Sequence, residues 1–364
     1  MPDTRQIAFG ISAYSAPDSY TKPDRQEYTD LVEDCGLAYR LGYQSVWAQE
    51  HHCTPYFSMP SPLIFLASIA REMPEFDLGT CMLVLPWYNP IRLAGEIAML
   101  SLLAPGKLYL GCGRGTSKSE YDAIGVSMKD SKLRYAECLN IVRKALTGEP
   151  FSFEGKFFDY PNSKQLRPTP ESDKITLIGA VGTPPTAAIM GEHGVPPMFT
   201  AGFPNALLRE MIATWRMKMA EHGRNPEGDF FIGGNMLIAD TDEEALALGQ
   251  KYFPMFFKMM LTNYAVDSTP WGEVEGYEGF QKVFGAYKHW ASDAKALESY
   301  LRRQFVGSAE TVAARVQELV DMGITHFSLS THTPGVPVAV RRESIERFAR
   351  DVAPRFSKTF GPRV

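Results

Sequence analysis

The stretch "DLGTCMLVLPWYNPIRLAGEIAMLSLLAPGKLYLGCG" (residues 77–113) reads as strand, helix, strand. Its opening apolar run is short enough for a buried strand and stops at a proline. "PIRLAGEIAMLSLL" then carries apolar residues at helical spacing behind a proline suited to a first helical turn. "KLYLGCG" is a second apolar run, closed by glycines. A strand, a crossover helix and another strand form the βαβ unit of parallel sheets.

The same alternation runs along the whole chain. Strand-like runs are "IAFGIS" (residues 7–12), "YQSVWAQ", "DLGTCMLVLP", "KLYLGCG", "ITLIGAV", "PPMFTA", "FIGGNMLIAD" and "THFSLSTH". Helical patterns separate them, among them "YTDLVEDCGLAYRLG", closed by a glycine, "SPLIFLASIARE" and "SAETVAARVQELVDMG". Eight strands in this rhythm predict a closed (β/α) eight-stranded TIM barrel, an α/β fold. An open doubly wound sheet would carry a nucleotide-binding fingerprint after its first strand, and "GISAYSAPDS" has none. Residues 252–300, rich in aromatics and glycine, interrupt the rhythm and predict a lid or interface insertion. No linker or repeat divides the chain, so residues 1–364 are expected to form one domain.

Composition narrows the function. Hydrophobic residues at 45% of 364 are enough for a large core, and a net charge of −5 opposes a nucleic-acid footprint. No run resembles a signal peptide or a membrane span. Five cysteines without CxxC spacing fit reduced thiols, hence a cytoplasmic enzyme with neither disulfide framework nor metal site.

In such a barrel the chemistry belongs at the strand C-terminal ends and the loops after them. "VWAQEHH" ends a strand in a carboxylate and two histidines. Adjacent residues of an extended segment face opposite ways, so His51 and His52 should not share one metal. A pocket histidine can act as acid, base or hydrogen-bond donor, and a structural pair at a strand end is the alternative. "LGCGRGT" (residues 110–116) is no phosphate loop, yet its glycines permit close backbone approach and Arg114 adds a fixed charge. "GAVGTPPTAAIMGEHG" places Thr183 as a helix cap with a second hydroxyl at Thr186, an arrangement that suits a phosphate. A tight turn and an ordinary cap are the plainer readings of these two stretches. Trp47, Leu85, Trp87 and Met198 are candidates for an apolar substrate pocket.

Together "VWAQEHH", "LVLPWYNPIRLAGEIAMLSLLAPGKLYLGCGRG", "GTPPTAAIMGEHGVPP" and "VGSAETVAARVQELVDMGITHFSL" resemble the bacterial luciferase-like, flavin-dependent monooxygenases. The resemblance spans residues 7 to about 356 and rests on the order and spacing of the motifs. It implies an FMN-binding barrel, usually a homodimer. Reduced FMN would come from a separate flavin reductase, and O2 would be used to oxygenate a small organic substrate such as an aldehyde or ketone. By motif position it makes His51 the pocket histidine and Arg114 an arginine near the flavin. Gly113 and Met82 lie along the ring, with an unusual cis peptide between Cys81 and Met82. Thr183 and Thr186 match the hydroxyls that hold the phosphate, Val181 and Gly182 join the cofactor-binding residues, and residues 266–299 match the mobile lid. Gly113 replaces a luciferase cysteine and Gly182 a luciferase glutamate, so the likeness is to the wider family and not to the light emitters. Hydride transfer with a deazaflavin, or flavin binding without catalysis, are the competing expectations.

Overall fold

The computed structural model describes residues 6–13, 23–54, 58–269, 271–277 and 279–363. The polar N-terminal residues 1–5, and Pro270 and Glu278 of the expected insertion, lie outside them. The strands are β1 (Ala8–Ala13), β2 (Ser45–Ala48), β3 (Asp77–Val84), β4 (Leu108–Gly113), β5 (Phe151–Glu154), β6 (Asp159–Ser163), β7 (Ile175–Ala180), β8 (Pro197–Thr200), β9 (Phe231–Ile238), β10 (Phe305–Gly307) and β11 (His326–Ser330). Eight of them close a parallel barrel in the order β1, β2, β3, β4, β7, β8, β9, β11, and β11 returns to β1 with Phe9 opposite Phe327. These are the eight runs read from the sequence. β10 adds to the far end of β9, and β5 with β6 makes a separate antiparallel hairpin; neither was expected.

The helices begin and end where their capping chemistry says they should. Ser61 accepts from the Ile64 amide at the start of Pro62–Glu72. Asn89 accepts from the Ile91 and Arg92 amides ahead of Pro90–Leu103. Gly42, at φ +100°, closes Asp24–Leu41, a conformation that a side chain would strain.

The chain divides into two compact units. The first comprises residues 1–47, 177–258 and 288–364. Its core gathers Phe327, Phe348 and Phe360 around Phe9, with Phe9 and Phe348 edge to face at 5.1 Å and Tyr43 against Phe348 and Phe360. A buried ion cluster fastens the ends of the chain in this unit. Asp34 is fully buried, accepts from Arg341 and Arg342, and lies 3.3 Å from His332 Nε2.

The second unit comprises residues 48–176 and 259–287. The expected insertion, residues 252–300, is divided between the two units and is largely helical. Asp242–Asn263 runs straight into it, and Phe280–Ser292 and Ala294–Leu301 follow. Aromatic packing supplies the reason: Trp271, Tyr277 and Phe284 are buried in one cluster with Tyr121 and Met128, and Trp87, Tyr264 and Phe280 pack against it. Burial of several aromatic rings outweighs the cost of Gly285 inside a helix, about 1 kcal/mol.

Candidate active site

The "EHH" corner lies just past β2, where the backbone stops pairing in the barrel and bridges instead to Met59. Two buried carboxylates receive the two histidines. His51 Nδ1 lies 2.9 Å from Glu120 Oε1, and the His52 backbone amide donates to the same oxygen at 3.0 Å. His52 turns the other way, with Nε2 2.8 Å from Glu50 Oε1. The pair therefore serves two separate carboxylates, as alternation along an extended segment requires.

Glu50 is 3% exposed, and its second oxygen accepts from the Val84 amide at 2.8 Å. Burial raises its pKa above the usual carboxylate range, a rise opposed by hydrogen bonds from His52 and Val84 and by Tyr88. The same burial, with the Glu50 charge, pushes the Tyr88 hydroxyl far upward, so it stays a donor. His52 also meets Trp87 edge-on at 5.4 Å, and Trp87 meets Tyr121 at 5.3 Å. Cys53, next in sequence, is exposed and takes a φ of +51°, rare for a residue with a side chain.

Glu120 belongs to the short helix Lys118–Ile124, whose cap Ser117 accepts from the Glu120 amide and donates to the Asn263 carbonyl. Sequence reading singled out neither Glu120 nor a role for Glu50.

The ends of β3 and β4 build the adjoining surface. The Cys81–Met82 peptide bond is cis, as the resemblance implied. Met82 and Gly113 are brought together: a Cβ placed on Gly113 would meet Met82 Cβ at 3.2 Å. At Gly111 an added Cβ would sit 2.2 Å from the Thr80 carbonyl and 2.5 Å from Met82 Sδ, so only glycine fits. Leu85 is fully buried in the short turn after β3, and Trp87, half-buried, ends that turn.

Arg114 reaches the insertion. Its Nη2 donates to Ser131 Oγ at 2.9 Å and to the Glu275 carbonyl at 2.8 Å, and its guanidinium lies 4.2 Å over the Tyr277 ring. Tyr277 returns a hydrogen bond to the Gly115 carbonyl, and Tyr121 donates to the Arg114 carbonyl. Arg114 Nε is buried with no partner among the described residues.

The remaining expected residues lie in the first unit. Thr183 caps Pro184–His193, with its Oγ1 3.0 Å from Thr186 Oγ1 and 3.4 Å from the Thr186 amide. Gly182 and Thr183 are exposed, whereas Val181 is buried and donates to the Met198 carbonyl. Trp47 is buried in the core, its indole N–H donating to Ser45 Oγ and its ring edge-on to Phe231. Met198 is buried on β8.

Residues 7–326 match the model of the luciferase-like monooxygenase family. The chain belongs to that family. Within it, the flavin-dependent trigonelline monooxygenase, oxygenase component, of Acinetobacter baylyi is 21% identical over 97% of this chain and 96% of its own length. The 4-hydroxyprotoasukamycin monooxygenase of Streptomyces nodosus subsp. asukaensis is 28% identical over 57% of this chain, a match spanning only 58% of that relative. An F420-dependent glucose-6-phosphate dehydrogenase of Mycolicibacterium gilvum is 25% identical over 90% of this chain and 94% of its length. The oxygenating constituent of 3,6-diketocamphane monooxygenase from Pseudomonas putida, solved with FMN, shares the fold with a TM-score of 0.74. It is 22% identical over 96% of this chain and 99% of that one. No described helix of this luciferase-like monooxygenase is long and apolar enough to cross a membrane.

Proposed function

We propose that this protein is the oxygenase of a two-component, flavin-dependent system. It would take reduced FMN from a separate reductase, with O2, and oxygenate a small apolar organic substrate such as an aldehyde or ketone. The observation that carries the reading is a histidine, His51, held by a buried carboxylate at the end of β2, beside a strand end left bare by glycine. The FMN in the diketocamphane enzyme and the separate oxygenase component of the trigonelline enzyme support it.

The residues fit a flavin. Gly113 lays its backbone open beside Met82, which suits a flat ring. The hydroxyls of Thr183 and Thr186, at the start of the helix Pro184–His193, suit a phosphate, with Val181 and Gly182 as the approach to it. Arg114 adds positive charge, although its Nη2 is spent on the insertion turn. When bound, reduced FMN supplies the oxygen chemistry. The protein binds and orients it, excludes water with apolar residues such as Leu85 and Trp87, and moves a proton at His51. We read residues 1–364 as one barrel domain of a cytoplasmic enzyme, with residues 252–300 as the lid.

The likeness to an F420-dependent dehydrogenase favours a second reading, hydride transfer with a deazaflavin and no oxygen. Oxygen uptake separates the two. Consumption of O2 with reduced FMN and a panel of aldehydes and ketones, and none with reduced deazaflavin, is the expected result. Substrate reduction with the deazaflavin alone would reverse it.

We further propose a homodimer. Ile64 is 74% exposed, and Met99, Leu102 and Leu103 are half or more exposed on the neighbouring helix Pro90–Leu103. Such apolar residues on two adjacent helices match an interface between copies.

A further inference from the structure

We infer that Glu120 is a positioning residue that fixes the tautomer of His51, making Nε2 the nitrogen that exchanges a proton with bound substrate or cofactor. The inference rests on the oxygenase reading only for the role of His51; the tautomer itself follows from geometry.

Glu120 Oε1 lies 2.9 Å from His51 Nδ1 and accepts the His52 amide at 3.0 Å. A carboxylate has only acceptors, so the imidazole must donate from Nδ1. A neutral imidazole with its proton on Nδ1 keeps its lone pair on Nε2. Glu120 is 2% exposed, and His51 retains 14% of its side-chain exposure, so water competes weakly for the contact. The carboxylate is itself held, since its helix is capped by Ser117, which is bound in turn to the Asn263 carbonyl. Because one oxygen serves both the ring and the next backbone amide, the ring is fixed relative to its own main chain.

The proton step then balances simply. Nε2 takes a proton from an O–H or N–H of the bound molecule, whose bonding pair stays on that oxygen or nitrogen. The resulting imidazolium sits against the Glu120 carboxylate, which offsets its charge. Returning the proton restores the neutral ring.

Two variants separate charge from geometry. In Glu120→Gln, the amide oxygen must face the His52 N–H, so it still accepts from His51 and the tautomer persists without the charge. In Glu120→Ala both are lost. The chain has seven histidines, so ¹⁵N-histidine labelling with long-range proton correlation resolves the tautomers, and His51→Gln assigns the signal. The expected result is Nδ1–H for His51 in the native protein and in Glu120→Gln, and predominantly Nε2–H in Glu120→Ala. Product formation should fall about tenfold in Glu120→Gln and about a hundredfold in Glu120→Ala, with KM nearly unchanged. Native His51 found as Nε2–H, or Glu120→Ala retaining Nδ1–H, would overturn the inference. A fixed Nδ1–H tautomer in a native protein that consumes no oxygen would leave Glu120 in place and remove the oxygenase reading instead.

Discussion

The guanidinium of Arg114 lies 4.2 Å above the ring of Tyr277, 163 positions along the chain, and Tyr277 reaches back to the carbonyl of Gly115. This exchange fastens the insertion turn to the loop after β4. A charged donor to a carbonyl contributes about 1.5–3 kcal/mol and a partly buried cation–π contact about 1 kcal/mol more. Arg114→Ala should therefore open the turn at residues 274–277 locally. Hydrogen exchange in that segment should rise by tenfold or more, while β3 and β4 stay protected. Equal protection in variant and parent would show that the aromatic cluster alone holds the turn.

The two glycines at the end of β4 should behave differently. Gly111→Ala drives a methyl against the Thr80 carbonyl and Met82 Sδ, and we expect a loss of about 3 kcal/mol or failure to fold. Gly113→Ala meets Met82 at a marginal 3.2 Å and should fold with a small drop in melting temperature. Its flavin affinity should fall by tenfold or more if the ring lies there. Thermal unfolding and fluorescence titration with FMN read the two effects separately.

His51→Ala should bind flavin as the parent does and lose product formation about a hundredfold. Thr183→Ala should show the reverse, with FMN affinity down about tenfold through loss of a hydroxyl and a helix cap. Unchanged turnover in the first variant would remove His51 from the chemistry.

Acid should weaken the first unit through Asp34. Burial alone would raise its carboxyl, but the hydrogen bond and charge of His332, with Arg341 and Arg342, hold it at about 2. Unfolded aspartates titrate near 3.9, so between the two values the unfolded chain binds the extra proton and stability falls with pH. The stabilisation is complete above about pH 4 and is lost as pH drops toward 2, worth roughly 2 kcal/mol. Burial lowers His332, whose loss of stability therefore begins earlier, as pH falls below the ordinary histidine range. Urea midpoints measured from pH 4 to 2 should lose this contribution in the parent and not in Asp34→Asn, which starts lower by about 3 kcal/mol.

Sedimentation should find a dimer, and Ile64→Glu combined with Leu103→Glu should give a folded monomer. A monomeric parent would dismiss the interface.

The barrel was legible because its strands are short apolar runs ended by glycine or proline, a pattern set by local chemistry. The hairpin of β5 and β6 was not, since "FSFE" and "DYPNS" bury little and carry no run. The helices of the insertion were not legible either, because Gly285 and Pro254 lower local helix propensity, while the aromatic contacts that restore it are distant in sequence. Glu120 was hidden for a related reason. "SKSE" satisfies the pattern of a capping box, which explains the residue locally, yet its carboxylate turns away to a histidine 69 positions back. His51 itself could be picked out, because a strand end is a place that sequence can locate.

The contrast among the thiols has a practical side. Cys35 and Cys112 are buried, and burial pushes both well above the ordinary thiol range, with Cys138 at about 12. Cys53 alone is exposed, one residue from His52. Cys81 is only partly exposed, so a maleimide dye should attach first at Cys53 without engineering, and changes in its emission would report small molecules arriving at the histidine corner in real time.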